Sequence, residues 1–265
     1  MPEHRDRERL RETFAEVAEQ YDRARPTYPA AVFDDIAGLA RLAPGARVLE
    51  IGPGTGKATV ELARRGWEVT AVELSPELAG IARRNLEPFP QAEVAIADFE
   101  DWEPDEAGFD AVVAFTAFHW IAPELRYAKP ARLLRPGGSL AVVATHQVTP
   151  EDADPVWVEA QADYDAVVPH PDNRPPPPPE EVPDLREELE ASGLFAGVEV
   201  RRHRWDVAYT ADEWTAVLGT YSPNIALPAG QRDELFGRIH GRIAARPGGT
   251  ATQHYLAVLS VGRRP

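Results

Sequence analysis

Two hydrophobic patterns alternate along the chain. Short apolar runs recur, and between them lie segments whose apolar residues are spaced three or four positions apart. The runs predict buried β-strands, and the spaced segments predict amphipathic helices. Because strands and helices alternate as far as residue 145, the pattern predicts a parallel, doubly wound α/β sheet. The predicted strands are residues 47–51, 68–72, 93–97, 110–115, 139–145, 197–207 and 254–261.

The helical segments lie between these strands and before the first one. Leu10, Phe14 and Val17 form one stripe of a helix over residues 7–20, and Pro26 interrupts the chain soon afterwards. Later helices begin at recognisable caps such as a serine or threonine, with proline at the first helical position in one case. These later helices are predicted at residues 30–42, 57–65, from 76, 123–134, 150–168, 181–192, 210–221 and 229–245.

The regular alternation weakens after residue 145. A polyproline run at 175–179 predicts an extended surface connection. Two helices between the last two strands are more than a sheet connection needs. We therefore predict one domain over residues 1–265, in which insertions at 150–180 and 210–250 form a substrate lid.

Composition limits the possible chemistry. The chain has 265 residues, 43% of them hydrophobic, which is ample for one domain with a sizeable core. There is no cysteine, so disulfides, thiolate catalysis and cysteine zinc sites are excluded. No cluster of His, Asp and Glu shows a clear metal spacing, so no metal is predicted.

The charge of the chain limits its partners. A formal net charge of −15 repels polyanions, which argues against nucleic acids and anionic membranes. No apolar stretch approaches the ~20 residues of a membrane span, and the first residues lack an apolar signal region. We expect a cytoplasmic protein with a small-molecule substrate, and the sequence gives no oligomeric state.

A glycine-rich loop follows the first strand, in the segment Val-Leu-Glu-Ile-Gly-Pro-Gly-Thr-Gly that ends at Gly56. Such a loop lets a ligand approach the backbone, and the next helix offers free N–H groups. It is not a P-loop, because Ala58 stands where a magnesium-binding hydroxyl is needed after Lys57. It is not the dinucleotide fingerprint either, because the third glycine comes one residue early.

Acidic residues end the next two strands. Glu73 ends strand two, where an acid in nucleotide-like sites accepts hydrogen bonds from ribose hydroxyls. Asp98 and Phe99 follow strand three, and strand four leads into Thr116. All these residues lie at the carboxyl ends of central strands, where open α/β sheets bind ligands.

The E-x-G-x-G-x-G loop, Glu73, Asp98 and the Phe118-His119-Trp120 stretch together resemble the class I S-adenosylmethionine-dependent methyltransferases. The lead Tyr-Asp-x-x-Arg-Pro-x-Tyr-Pro resembles their small-molecule members of the ubiquinone-biosynthesis and trans-aconitate types. The resemblance covers residues 14–145. It implies a Rossmann-like α/β sheet of seven strands, mostly parallel with a reversed last strand, plus helical cap insertions.

The resemblance also implies a cofactor and a reaction. S-adenosyl-L-methionine is expected as methyl donor and S-adenosyl-L-homocysteine as product, with the acceptor methylated on oxygen, nitrogen or carbon, as in specialised metabolism. The Asn-Pro-Pro-Tyr motif for amino groups of nucleic acid or protein is absent. Two other functions stay open on this fold, a non-methylating cyclase or pericyclase and, disfavoured by the glycine spacing, an NAD-dependent oxidoreductase.

The cofactor contacts follow from the same resemblance. Residues 1–29 are expected to fold over the cofactor and to bring Tyr21 and Arg25 towards its methionine carboxylate, although Tyr21 could equally be a core aromatic. Asp98 is expected at the adenine amino group, where it could instead cap a helix. The expected cofactor-binding residues are Tyr21, Arg25, Glu50, Gly52, Pro53, Gly54, Gly56, Glu73, Leu74, Asp98, Phe99 and Thr116.

Two histidines are candidates for a general base, because their pKa suits proton transfer near neutral pH. His119 leaves strand four beside the expected methyl position, and His146 ends strand five. His119 could instead only line the site or hold a loop. Phe118 and Trp120 are expected to wall the pocket. Three lid aromatics either line the acceptor site or form the lid's own core: Tyr164, Trp214 and Tyr221.

Overall fold

The computed structural model describes residues 18–169 and 174–265. The stripe of Leu10, Phe14 and Val17 lies outside the described residues. Of the first predicted helix, the structure describes α1, Ala18–Ala24.

The centre of the fold is one seven-stranded sheet with the strand order β3-β2-β1-β4-β5-β7-β6. The first five strands pair in parallel, and β7 runs antiparallel to both β5 and β6. The predicted fold, with its reversed last strand, is confirmed. The strands are β1 Arg47–Ile51, β2 Glu68–Glu73, β3 Ala92–Ile96, β4 Phe109–Phe115, β5 Leu134–Val148, β6 Ala196–Thr210 and β7 Thr250–Arg263.

Helices flank the sheet and continue beyond it. Ser75 caps α4 by accepting the backbone N–H of Leu78, with Pro76 at the first helical position. Thr210 and Glu213 form a capping box at the start of α9. The helices after α1 are α2 Ala30–Leu39, α3 Lys57–Arg64, α4 Pro76–Asn85, α5 Pro123–Arg126, α6 Ala128–Leu133, α7 Val156–Val167, α8 Arg186–Ala191, α9 Ala211–Leu218, α10 Ser222–Ile225 and α11 Ala229–Ala244.

The second half of the sheet differs most from the prediction. Strands β5, β6 and β7 are each several residues longer than predicted. The predicted turn at Gly137 and Gly138 belongs to β5, where pairing with β4 is irregular between Phe109 and Ala111. Long antiparallel ladders satisfy backbone groups beyond the point where the parallel strands end, so tertiary pairing extends strands that local signals would terminate.

Three buried clusters hold the molecule together. One lies on the α2–α3 face of the sheet around Phe33, and a second lies on the opposite face around Leu140. The third joins α7, α9 and α11 to the ends of β6 and β7, with Trp214 and Leu235 at its centre. We call α7 and α9 to α11 the helical cap. Within the described residues, no helix is long and apolar enough to cross a membrane.

Candidate functional site

A cavity of about 750 Å³ lies at the carboxyl ends of the parallel strands. Every strand of the sheet, or the segment directly after it, contributes to its wall. In sheet order from β3 to β6 these contributors are Asp98, Glu73, Gly52, Thr116, Gln147, Tyr255 and Trp205. The cavity therefore extends across the sheet, from the acidic ends of β2 and β3 to the antiparallel strands.

The glycine loop forms the floor of the cavity beside β1. Gly52 has φ +63°, and a Cβ there would lie 2.7 Å from the Cβ of Ala117. Gly54 has φ +59°, but a Cβ there would meet no protein atom within 4 Å. Gly52 is thus required by packing, whereas Gly54 leaves space open over the loop. Pro53, between them, also lines the cavity, but Gly56 does not, because it packs against Ala82 of α4.

Glu73 connects the glycine loop to the start of α4. Its carboxylate accepts the backbone N–H groups of Gly54 and Ser75, each at 2.9 Å. The side chain is buried but lines the cavity. A carboxylate has about four acceptor positions, so two donors leave capacity for a ligand hydroxyl.

Glu50 is a fully buried acid at the end of β1. Neither carboxylate oxygen has a hydrogen-bond partner among the described residues, although the side chain lines the cavity. Burial, reinforced by the nearby charge of Glu73, raises the pKa of Glu50 to about 8. An acid in this state gains most from a positively charged or N–H-bearing group placed beside it.

The outer end of the cavity follows β2 and β3. Asp98 accepts the backbone N–H of Glu100 at 2.9 Å, which fixes the turn after β3. Phe99 is buried beneath this end, with the ammonium of Lys129 5.3 Å from its ring centre. Leu74 is 41% exposed at the rim. The arrangement offers an apolar slot next to a carboxylate.

Helix α1 covers the cavity and connects its two sides. Arg25 donates from Nε to Thr220 Oγ1 at 2.8 Å and from Nη2 to the Thr220 carbonyl at 3.1 Å. Its guanidinium lies 3.9 Å from the ring centre of Tyr221 and 5.2 Å from that of Tyr21. On the other side, Lys57 of α3 donates to the Asp22 carbonyl. Tyr21 and Arg25 both line the cavity, and the bonds of Arg25 lead to the helical cap.

A cross-strand row forms the inner end of the cavity. Gln147, Tyr255 and Trp205 occupy paired positions on β5, β7 and β6. The rings of Trp205 and Tyr255 stack with centres 5.2 Å apart and planes 22° apart. Gln147 donates to the Tyr221 hydroxyl at 2.5 Å. Burial raises the pKa of Tyr221 and Tyr255, so both phenols stay protonated near neutral pH.

Tyr28 and Thr116 lie where the two ends of the cavity meet. Thr116 follows β4 with φ +56°, an unusual conformation for a β-branched residue. Its hydroxyl is 3.3 Å from that of Tyr28. The Tyr28 ring packs at a steep angle on Phe115, with ring centres 4.9 Å apart. Together they hold a polar contact in the middle of the sheet edge.

Sequence reasoning missed four wall residues: Tyr28, Gln147, Trp205 and Tyr255. No local motif marks them, because each comes from a different segment. The one available signal was alternation along β7, where Tyr255 falls on the opposite face from Leu256. Of the cap aromatics, Tyr221 lines the cavity, whereas Trp214 and Tyr164 pack in the core of the cap.

The two candidate histidines require a correction. Among the described residues, neither His119 nor His146 lines the cavity. His119 lies on a short turn after β4 and is exposed, with its ring 4.7 Å from that of Trp120. The prediction failed because the 3-10 turn Phe118–Trp120 directs Trp120 into the wall and leaves its neighbours elsewhere. Phe118 is buried against Tyr127 rather than lining the cavity.

The charges around these histidines do not favour a base either. Burial, Arg126 and His146 lower the pKa of His119, and burial and Arg202 lower that of His146. Elsewhere in the described parts of the chain, no three His, Asp or Glu side chains come together in a way that could hold a metal ion.

Comparison with known proteins gives the glycine-loop half of the chain a family. Residues 48–138 match a sequence model of the methyltransferase domain. An uncharacterized methyltransferase of Mycobacterium tuberculosis is 37% identical over 131 residues, which are 49% of this chain and 51% of that protein. A ubiquinone biosynthesis O-methyltransferase of Xanthomonas campestris is 40% identical over 100 residues, 37% of this chain and 42% of that one. The chain spans about half the length of these curated relatives, or less.

Solved structures extend the similarity of the fold over most of the chain. A putative type II methyltransferase from Anaeromyxobacter dehalogenans aligns with 90% of this chain and 97% of its own, with a TM-score of 0.62 and 24% identity. An S-adenosylmethionine-dependent methyltransferase from Geobacter sulfurreducens, in complex with S-adenosyl-L-homocysteine, aligns with 92% and 96%, with a TM-score of 0.52 and 18% identity. The predicted family and its cofactor, S-adenosylmethionine, are confirmed. The chain belongs to the class I S-adenosylmethionine-dependent methyltransferases.

Proposed function

We propose that the protein transfers the methyl group of S-adenosylmethionine to an oxygen, nitrogen or carbon atom of a small-molecule acceptor. The observation that carries this proposal is the continuous cavity across the sheet. Its β1–β3 end offers backbone and carboxylate groups, and its β5–β7–β6 end is aromatic. A reaction between two ligands needs two such compartments in contact.

The residues of the β1–β3 end suit the cofactor. Space for a ligand lies over Gly54, and Glu73 has acceptor capacity beside it for two ribose hydroxyls. Asp98 with Phe99 and Leu74 suits an adenine ring with an amino group. The orphaned acid Glu50 suits the positive end of the methionine portion, because an unpaired buried carboxyl gains from a cation nearby.

When bound, S-adenosylmethionine supplies an electrophilic methyl group, whose bond to sulfur breaks as an acceptor lone pair bonds to its carbon, leaving S-adenosylhomocysteine. The protein has to align the acceptor in line with that bond. Alignment of this kind contributes up to about 7–11 kcal/mol to lowering a barrier. Thr116 and Tyr28, at the junction of the two ends, and Trp120 in the wall are the side chains best placed to fix that approach.

The helical cap and residues 18–29 form a lid in this proposal. Arg25 and Gln20 of α1 bond to Thr220 and Ala216 of the cap, so α1 and the cap enclose the acceptor together. Exclusion of water at this end keeps the acceptor rather than water as the nucleophile.

The test is a transfer assay with methyl-labelled S-adenosylmethionine and a library of small hydroxyl, carboxyl, amine and activated-carbon compounds. Release of S-adenosylhomocysteine together with label in one acceptor supports the proposal. Cofactor binding without transfer to any acceptor, combined with conversion of a library compound into an isomer, would instead support a non-methylating enzyme on this fold.

A further inference from the structure

The charged groups of the cavity are unevenly distributed. The carboxylates that line it among the described residues are on β1, on β2 or in the segments after β2 and β3: Glu50, Glu73, Glu77, Asp98 and Glu100. The described wall over β5, β7 and β6 has no carboxylate. The cation nearest that end is Arg25, whose guanidinium packs on Tyr221.

Arg25 is oriented by the helical cap rather than by the glycine loop. Nε and Nη2 both donate to Thr220, which fixes the plane of the guanidinium at the junction of α9 and α10. Tyr221 in turn is bonded to Gln147 of β5. Nη1 donates to no described residue and remains available to a ligand. A fixed guanidinium with a free nitrogen is well suited to binding a carboxylate.

The walls around Arg25 set the shape of what it can bind. Trp205, Tyr255 and Tyr221 present ring surfaces, and Trp120 and Phe115 continue the aromatic wall towards β4. Aromatic walls favour flat, unsaturated molecules, which stack on or pack edge-to-face against such rings. A cationic amine could also bind against aromatic rings, but the guanidinium on Tyr221 repels a second positive charge.

A neighbouring observation agrees with an anionic acceptor. The described wall of this end has no histidine, and its phenols stay protonated near neutral pH. The protein therefore offers no side chain there that removes a proton readily. An acceptor with an ionised oxygen needs no such base.

Building on the proposed function, we propose that the acceptor is a compact aromatic acid, a one-ring molecule whose carboxylate binds Arg25 and whose ring lies against Trp205 and Tyr255. Arg25 is then a specificity-determining residue for the acceptor rather than a ligand of the cofactor carboxylate.

The experiment measures binding of benzoate, 4-hydroxybenzoate, benzyl alcohol and benzylamine to full-length protein saturated with S-adenosylhomocysteine, by calorimetry or ligand-observed NMR. We expect the two acids to bind about 10- to 100-fold more tightly than the alcohol and the amine, the range for a hydrogen bond to a charged partner. Arg25→Gln should remove that preference, and Arg25→Lys should restore part of it. Affinity for S-adenosylhomocysteine should change less than about threefold in both variants.

The matched control is Arg23→Gln, which removes the same charge from an exposed position on the same helix. It should leave the preference for acids intact. Equal or tighter binding of benzylamine by the wild-type protein would overturn the proposal without any variant, and so would failure of both acids to bind. Loss of S-adenosylhomocysteine binding in Arg25→Gln with the preference for acids intact would assign Arg25 to the cofactor. Failure of the wild-type protein to bind S-adenosylhomocysteine would count against the proposed function itself.

Discussion

The two ends of the cavity are built in different ways. The β1–β3 end uses backbone N–H groups, a glycine loop and acids that directly follow their strands, as Glu73 does when it bonds to Gly54 and Ser75. The β5–β7–β6 end uses side chains from segments far apart in sequence, with Arg25, Gln147, Trp205 and Tyr221 among them. Recognition through the backbone leaves a motif in the sequence, whereas recognition through dispersed side chains leaves none.

The same contrast separates constant from adjustable chemistry. A glycine loop with its clamping acid tolerates little substitution, because Gly52 has no room for a Cβ beside Ala117. The aromatic row on β5, β7 and β6 can change residue by residue while the ladder stays paired. This arrangement explains physically how one cofactor site serves many acceptors. The following predictions test how far the two ends are independent.

The largest effect is expected from Trp214→Ala in the core of the helical cap. Trp214 is 3% exposed and packs on Trp157 and Tyr209, with ring centres 4.5 Å and 5.2 Å away. Its truncation should cost about 3–5 kcal/mol of unfolding free energy. Hydrogen exchange should show faster exchange in α7, α9 and α11 and little change in β1 to β4. Equal acceleration in both regions would show that the cap and the sheet unfold as one unit.

The next effect is a pH dependence from Glu50 at the β1–β3 end. Its pKa is raised from 4.5 to about 8 in the folded protein. Below pH 4.5 both states hold the proton, and between 4.5 and 8 the folded state holds it more firmly. The free energy of unfolding should therefore fall as pH rises through that window, by about 1.4 kcal/mol per unit of pKa shift at most.

Glu50→Gln removes this titration. Denaturant unfolding at a series of pH values should show the variant gaining stability relative to wild type from pH 4.5 to 8, with no further gain above pH 8. Glu68→Gln, an exposed acid at the start of β2, is the control and should follow the wild type. A constant difference between Glu50→Gln and wild type would contradict the buried, unpaired state of Glu50.

A smaller effect, confined to the cofactor, is expected from Gly54→Val. The side chain would enter open cavity space, so binding of S-adenosylhomocysteine should weaken by about 100-fold or more while the fold persists. The control is Gly45→Val, which imposes similar backbone strain at φ +79° in open space outside the cavity wall. If both variants bind S-adenosylhomocysteine alike, the ligand does not lie over Gly54.

The smallest effect is expected from His119→Ala. Because His119 lies outside the described cavity wall, we expect kcat to fall by less than about threefold, far below the 10²–10⁴-fold loss typical of a general base. The pH profile of kcat should keep its acid limb. A loss of 10²-fold or more, together with disappearance of that limb, would return His119 to the chemistry.

The predictability of the site follows the same division. Gly52, Gly54, Glu73 and Asp98 could be placed from sequence because each is within a few residues of a strand end that its own hydrophobic pattern defines. His119 was misplaced because a single 3-10 turn decides which of three consecutive side chains faces the cavity. Local sequence gives the position of such a turn but not its rotation about the chain.

The sequence by itself determined the alternation of strands and helices, the doubly wound sheet and the loop that binds the cofactor, because these depend on short-range periodicity and on glycine at fixed positions. The tertiary structure alone decided which side chains meet over β5, β7 and β6. The pairing of Gln147, Tyr255 and Trp205 depends on the register of two long antiparallel ladders. A shift of one residue would turn every one of these side chains to the other face, and no local pattern fixes that register. The position of Arg25 likewise depends on the contact of α1 with Thr220, which lies 195 residues away in the chain.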